Sequence, residues 1–250
     1  MKVLVIPDIH LKSWLFDRAE EALLAGKAER AVCLMDIPDD WGQQKKVRRY
    51  EEVFDRAIAF AKSFPETVWC YGNHDVCYLW GKGETGYSPF AAHTVRCKLA
   101  ELSAVIGHDP CIVARIDKAL FMHGGLCEEF LSFYRKNLLT ADIDTVIDTV
   151  NKASDRYLWR MDSPLWCRPQ NGFNKMFRTD EFVQVVGHSP VREVWKHEGV
   201  ISTDVFSTVP DGKQVGKSEF LILDTKTLEG ELLPIIPGGK YPPDIDDPER

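Results

Sequence analysis

Short apolar runs, each closed by a polar cluster, alternate in this chain with longer stretches whose apolar residues recur every three or four positions. The first run covers residues 2–6 and is followed by Pro7-Asp8-Ile9-His10. A continuous apolar run this short reads as a strand buried on both faces. From Ser13 to about Gly26, Leu15, Phe16, Ala19, Ala22 and Leu23 fall on one helical face. Ser13 can cap that helix and Gly26 can end it. Residues 30–35 predict a second strand closing on Asp36, and Ile37 to Gly42 reads as a loop from its Pro, Asp and Gly content. Gln44 to Ser63 carries Val47, Tyr50, Val53, Phe54, Ile58 and Ala61 on one stripe, and Pro65 stops it. A third strand, Thr67 to Cys70, delivers Tyr71-Gly72-Asn73-His74-Asp75. This β-α-β-α-β order is the pattern of a parallel sheet.

Farther along, Val76 to Tyr87 is rich in Gly and aromatic residues and reads as a loop, and Pro89 to Ile106 reads as a helix. Residues 111–116 and 119–122 predict two short strands about a turn at Asp117-Lys118, the second ending at His123-Gly124-Gly125. Glu128 to about Trp159 has a helical pattern with alternating charges, placed where it could form a lid. Phe182 to Val186 leads to Gly187-His188-Ser189-Pro190. Alternation over Val191–Trp195, Gly199–Thr203, Glu219–Leu223 and Glu231–Ile235 predicts an antiparallel second sheet. The expected organisation is α/β, with two packed sheets in a single domain over residues 1–236. A mobile Pro-, Gly- and Asp-rich tail is expected over 237–250.

Composition narrows the function classes. A net charge of −7 argues against a general nucleic-acid surface. No apolar run approaches the roughly 18 residues that cross a bilayer. The amino terminus runs into polar residues too soon for a signal peptide. Seven cysteines, an odd number without C-x-x-C spacing, predict reduced thiols and a cytoplasmic protein.

Five of the predicted strands end in residues that bind metals or move protons: Asp8 with His10, Asp36 with Asp39, Asn73 with His74, His123, and His188. Parallel strands would bring these ends to one edge, where open α/β sheets place their sites. Asn73 offers a neutral oxygen ligand, His74 a ligand or proton donor, and Asp75 an acceptor able to orient that histidine. Mixed carboxylate, amide and imidazole donors suit manganese, iron or zinc. A carboxylate shared by two ions is the usual arrangement of a two-metal site. Trp41 and Trp80 flank these motifs and could line a substrate pocket.

The order D-x-H, D-x-x-D, G-N-H-D, H-G-G and G-H-S over about residues 3–205 resembles the calcineurin-like metallophosphoesterase superfamily. Within it, His123-Gly124-Gly125-Leu126, Gly187-His188-Ser189-Pro190-Val191 and Leu165-Trp166-Cys167-Arg168 look like the phosphoprotein phosphatase branch. That branch includes bacterial and phage protein phosphatases and symmetrical dinucleoside tetraphosphate hydrolases. The resemblance implies a two-sheet β-sandwich flanked by helices and two divalent ions, manganese first, with iron or zinc as alternatives. It implies Asp8 and His10 on the first ion, Asp36 bridging, and Asn73, His123 and His188 on the second. It implies His74 as general acid, Asp39 as its orienting partner, and Arg168, with Asn73, on the substrate phosphate. A metal-bridging hydroxide would then attack phosphorus in a phosphoprotein, a nucleotide or a small phosphoester. A phosphomonoesterase is the first expectation, with a dinucleoside polyphosphate hydrolase and a non-catalytic scaffold as alternatives.

Departures bear on the substrate. Met35 stands where the family usually has Gly, Asp40-Trp41 where the phosphatase branch has Arg-Gly, and Pro190 where many members have a histidine. An acid at position 40 adds negative charge near an anion unless it points away or Arg48 or Arg49 compensates it.

Overall fold

A computed structural model describes residues 1–236; the tail expected over 237–250 lies outside them. The first sheet is built on β1 (Lys2–Ile6), β2 (Arg30–Cys33) and β3 (Val68–Trp69), all parallel. Helices α1 (Trp14–Leu24) and α2 (Val47–Ser63) form the crossovers. After β3 come α3 (Asn73–Trp80), α4 (Ala92–Ile106), then β4 (Val113–Ile116) and β5 (Ala119–Met122). Three short helices follow, α5 (Glu128–Arg135), α6 (Ile143–Asn151) and α7 (Asp155–Leu158). The remaining strands are β6 (Val183–Val186), β7 (Trp195–His197), β8 (Val200–Ser202), β9 (Glu219–Asp224) and β10 (Gly230–Pro234). Strand order is β10-β9-β1-β2-β3 in the first sheet and β4-β5-β6-β8-β7 in the second.

The two-residue period of the strands explains their all-apolar character. Val3, Val5, Val32, Leu34, Phe121, Val185, Ile201 and Leu223 pack together in one cluster between the two sheets. The intervening Leu4, Ile6, Cys33, Leu120, Met122, Val186 and Ile222 join a second cluster, with the helices. The central strands β1, β2, β5, β6, β8 and β9 are thus covered on both faces, as a sandwich flanked by helices requires, while the edge strands β7 and β10 are largely exposed. From α2, Tyr50, Val53, Phe54, Ala57 and Ile58 are buried, and Arg48, Glu51 and Glu52 face outward.

Several expectations are corrected. The last two strands do not extend the second sheet: β9 pairs antiparallel with β1, and β10 with β9. The second sheet is mixed, with β5, β6 and β8 parallel. The strand expected at 191–195 begins only at Trp195. The stretch 128–159 is not one helix. Asp142 accepts the Thr145 backbone N–H at 2.9 Å and starts a new helix there, so a capping acid inside the apolar period marks the break. The loop expected over Val76 to Tyr87 is helical in its first part: residues 76–80 complete α3, whose first turn is closed by Asp75 accepting the Gly72 N–H.

Phe121 is fully buried between the sheets, whereas Phe173 is 85% exposed. Phe121→Ala is expected to cost about 3–5 kcal/mol and Phe173→Ala less than about 0.5 kcal/mol, as read by urea denaturation.

Candidate functional site

The parallel strands β1, β2 and β3 end on the same edge, and backbone pairing continues past them. His10 N–H donates to Asp36 O at 2.8 Å, and Ile9 N–H to Met35 O at 3.0 Å. Where the pairing stops, the chain turns through the left-handed region at His10, Leu11, Met35, Asp36, Asp39 and His188. Five of the ten such non-glycine residues among those described therefore follow β1 or β2, and a sixth, His188, follows β6. Each costs roughly 1–3 kcal/mol, and such strain collects at functional sites. Met35, at φ +52°, occupies the position that favours the glycine the sequence lacks.

Glycines admit the carboxylates. A Cβ on Gly72 would stand 1.9 Å from Asp36 Oδ1, and one on Gly187 would stand 2.0 Å from Asp8 Oδ1. Asp75 sits third in α3 and accepts backbone N–H groups from Gly72 at 2.9 Å, Asp36 at 2.8 Å and Ile37 at 3.0 Å. It does not orient His74, as expected from the sequence; it ties the 36–37 turn to the start of α3. Burial, with Asp36 beside it, pushes its pKa up to about 7.

The imidazoles are oriented by backbone carbonyls. His123 Nδ1 donates to Leu34 O at 3.0 Å, and His10 Nδ1 to Asp39 O at 2.9 Å. A carbonyl only accepts, so these bonds place a proton on Nδ1 and turn Nε2 inward. His123 Nε2 then meets Asp36 Oδ2 at 3.1 Å and Asn73 Oδ1 at 3.0 Å. His10 Nε2 lies 3.9 Å from Asp36 Oδ2. His188 donates its backbone N–H to Asp8, and its buried Nε2 has no hydrogen-bond partner. Two ligand groups result, Asp8-His10-Asp36 and Asp36-His123-His188, each with donor atoms within 4.8 Å of one another.

His74 is separate from these groups in its hydrogen bonding. Its Nδ1 lies 3.0 Å from Asp39 Oδ2, and the opposite oxygen of Asp39 accepts the Tyr50 hydroxyl at 3.1 Å and the Tyr78 hydroxyl at 2.5 Å. Burial lowers the His74 pKa, but Asp36 and Asp39 outweigh it and push it up to about 9.

A family model for calcineurin-like phosphoesterases matches residues 1–215. The chain belongs to the calcineurin-like phosphoesterase family. It is a hydrolase acting on phosphate esters. Among solved structures, a cold-active protein-tyrosine phosphatase of the psychrophile Shewanella sp. is 20% identical, with a TM-score of 0.59 over 93% of this chain and 80% of that one. A Saccharomyces cerevisiae serine/threonine phosphatase with similarity to human phosphatase PP5 is 13% identical, with a TM-score of 0.58 over 97% and 82%. At these identities the likeness is one of fold. A comparison with curated proteins found no match. No helix among the described residues is long and apolar enough to cross a membrane.

The residues of this calcineurin-like phosphoesterase fit divalent ions. Asp8 and Asp36 are both 1% exposed, and His123 is fully buried. Burial lowers the His123 pKa, yet Asp36 and Asp8 push it up to about 10. Burial and the neighbouring Asp204 raise that of Asp8. The cluster thus demands positive charge, and the unpartnered His188 Nε2 supplies a lone pair to receive it.

A cavity of about 330 Å³ opens onto the centre, lined by His10, Asp36, Asp39, Asn73, His74 and His188. Arg168 lines it too and donates to His188 O and Ser189 Oγ, both at 3.0 Å. Trp41 stands in this wall; Trp80 lines a different cavity, beyond α3. Residues 84–86 border the site, and no residue of 128–159 does, so the expected lid is not where the cavity lies.

Three residues were not anticipated. Lys12 is buried and reaches Asp40 Oδ2 at 3.3 Å and His10 O at 3.1 Å, so the acid at position 40 has a cation beside it. Tyr78 holds Asp39 from α3. Asp204 is fully buried at the end of β8, with one oxygen unpartnered. A strand ending on Asp was the signal that singled out Asp8 and Asp36; applied to 199–203 it would have found Asp204.

Because its Cβ would displace the shared carboxylate, Gly72→Ala is expected to weaken Mn²⁺ binding more than about tenfold, measured by calorimetry. Mn²⁺ at 100 times its Kd should stabilise the wild type by about 2.7 kcal/mol, read as a rise in Tm, and the variant far less.

Proposed function

We propose that this metal-dependent phosphoesterase is a phosphomonoesterase working with two divalent ions, manganese first. One ion would be held by Asp8, His10 and Asp36, the other by Asp36, Asn73, His123 and His188. Bound there, such ions polarise a phosphoryl oxygen and acidify a water. The observation that carries the reading is the sharing of Asp36 by both ligand groups beside a histidine of raised pKa.

The chain's own residues supply the remaining chemistry. His74 holds its Nδ1 against Asp39, so Nε2 is the atom from which a proton passes to the departing alkoxide. Asp39 is a positioning residue: it fixes the ring and favours the imidazolium before transfer. Tyr50 and Tyr78 keep its other oxygen occupied. Arg168, anchored through one nitrogen to the turn bearing His188, presents the rest of its guanidinium to the phosphate oxygens.

The wall favours a monoester over a dinucleoside polyphosphate. Arg168 is the only Lys or Arg among the described residues lining the cavity, while Glu84 adds a carboxylate and the Asp40 charge is already met by Lys12. A polyphosphate chain carries more negative charge than one guanidinium offsets.

Chelator-stripped protein should regain hydrolysis of p-nitrophenyl phosphate with Mn²⁺ and turn over a dinucleoside tetraphosphate more slowly. His74→Ala is expected to slow hydrolysis of an alkyl phosphomonoester by about 10²–10⁴-fold. The loss on p-nitrophenyl phosphate, whose leaving group needs little protonation, should be much smaller. Equal losses on both esters would remove His74 as the acid.

A further inference from the structure

The loop after β2 ends in an aromatic group held at both ends. Trp41 donates its backbone N–H to Asp40 Oδ1 at 2.8 Å and its indole Nε1–H to Thr208 O at 2.8 Å. Thr208 returns a bond from its hydroxyl to the same Asp40 oxygen, at 2.6 Å. Lys12 fixes the other oxygen of Asp40. The indole is therefore clamped between a loop of the first sheet and the segment that follows β8 of the second. Trp41 is nevertheless 43% exposed, and it lines the cavity that opens onto His74 and Asp36.

An indole pinned at Nε1, on a backbone itself tied to Asp40, has little rotamer freedom left to lose when a ligand stacks on it. Leaving that much apolar ring in water serves no packing purpose, since the buried tryptophan Trp69 shows the core accepts such rings. Asp40 explains itself in the same terms. At the position where the phosphatase branch has an arginine, its carboxylate binds Trp41, Thr208 and Lys12. The charge is turned to construction, and the recognition gained is aromatic.

We propose that Trp41 is a specificity-determining residue: a preformed shelf on which the leaving group of a phosphomonoester stacks, so that the substrate class is esters whose alcohol carries an aromatic ring. This rests on the phosphomonoesterase reading above. A tyrosine side chain and a nucleoside base present the same flat apolar face, and both are tested below.

The test is binding of non-hydrolysable phosphonates to the Mn²⁺-loaded protein by calorimetry, which needs no turnover. Wild type should bind phenylphosphonate about tenfold more tightly than methylphosphonate. Trp41→Ala should abolish that preference, and Trp41→Phe, which keeps a ring without the clamp, should retain part of it. Displacement of phenylphosphonate by a phosphotyrosine peptide or by adenosine 5′-monophosphate identifies which aromatic source the shelf accepts. Equal affinity of wild type for both phosphonates, or a preference undiminished in Trp41→Ala, overturns the shelf alone. Binding of neither phosphonate overturns the phosphoesterase site and the shelf with it.

Discussion

Four segments of the chain meet on one buried carboxylate. Asp36 accepts the His74 backbone N–H at 2.9 Å through Oδ1 and meets His123 Nε2 at 3.1 Å through Oδ2. Its own N–H donates to Asp75, and its carbonyl accepts from His10. Burial opposes its ionisation, but His123, His74 and His10 outweigh that and hold the carboxyl well below its usual range. A charge so deeply placed is tolerable only with positive charge and donors around it. The positive φ of Met35 and Asp36 and the bare flank of Gly72 are the local costs of keeping it there.

The same constraint separates two kinds of histidine. His10 and His123 have Nδ1 tied to neutral carbonyls, which leaves Nε2 available as a lone-pair donor. His74 has Nδ1 tied to a carboxylate, which favours the protonated ring. Burial takes His10 down to about 4, while His74 is taken up to about 9. His123, beside Asp36 and Asp8, is also pushed up, to about 10, so what sets His74 apart is the carboxylate behind its Nδ1, where His10 and His123 have neutral carbonyls.

Much of this was legible in the chain. Strands buried on both faces read as unbroken apolar runs, and their polar terminations named Asp8, His10, Asp36, Asn73, His123 and His188, which the fold brings together. Local signals failed where tertiary pairing decides. Nothing in Glu219 to Leu223 says that it will pair with β1 and not with β7 or β8, because an alternating strand fits either sheet. The helix α3 was hidden because its capping glycine and its Asn-His-Asp start resemble a turn; only Asp75 at the third position marks it. Lys12 had no signal at all, since a buried lysine is recognisable only by the acid it meets across 28 residues.

The pairing of β1 with β9 also sets an order of events during synthesis. Lys2 to Val5 find their partners on one side at Arg30 and beyond, but on the other only at Leu221 to Asp224. At translation rates of about 5–20 residues per second, the nascent first strand waits on the order of 10–40 s before its open edge is covered. Asp8 and His10 hang from that strand. Asp36 joins them early, beside β2, and His188 much later, yet both precede β9, so the ligand residues are all synthesised while the edge of the strand that bears the first two is still open.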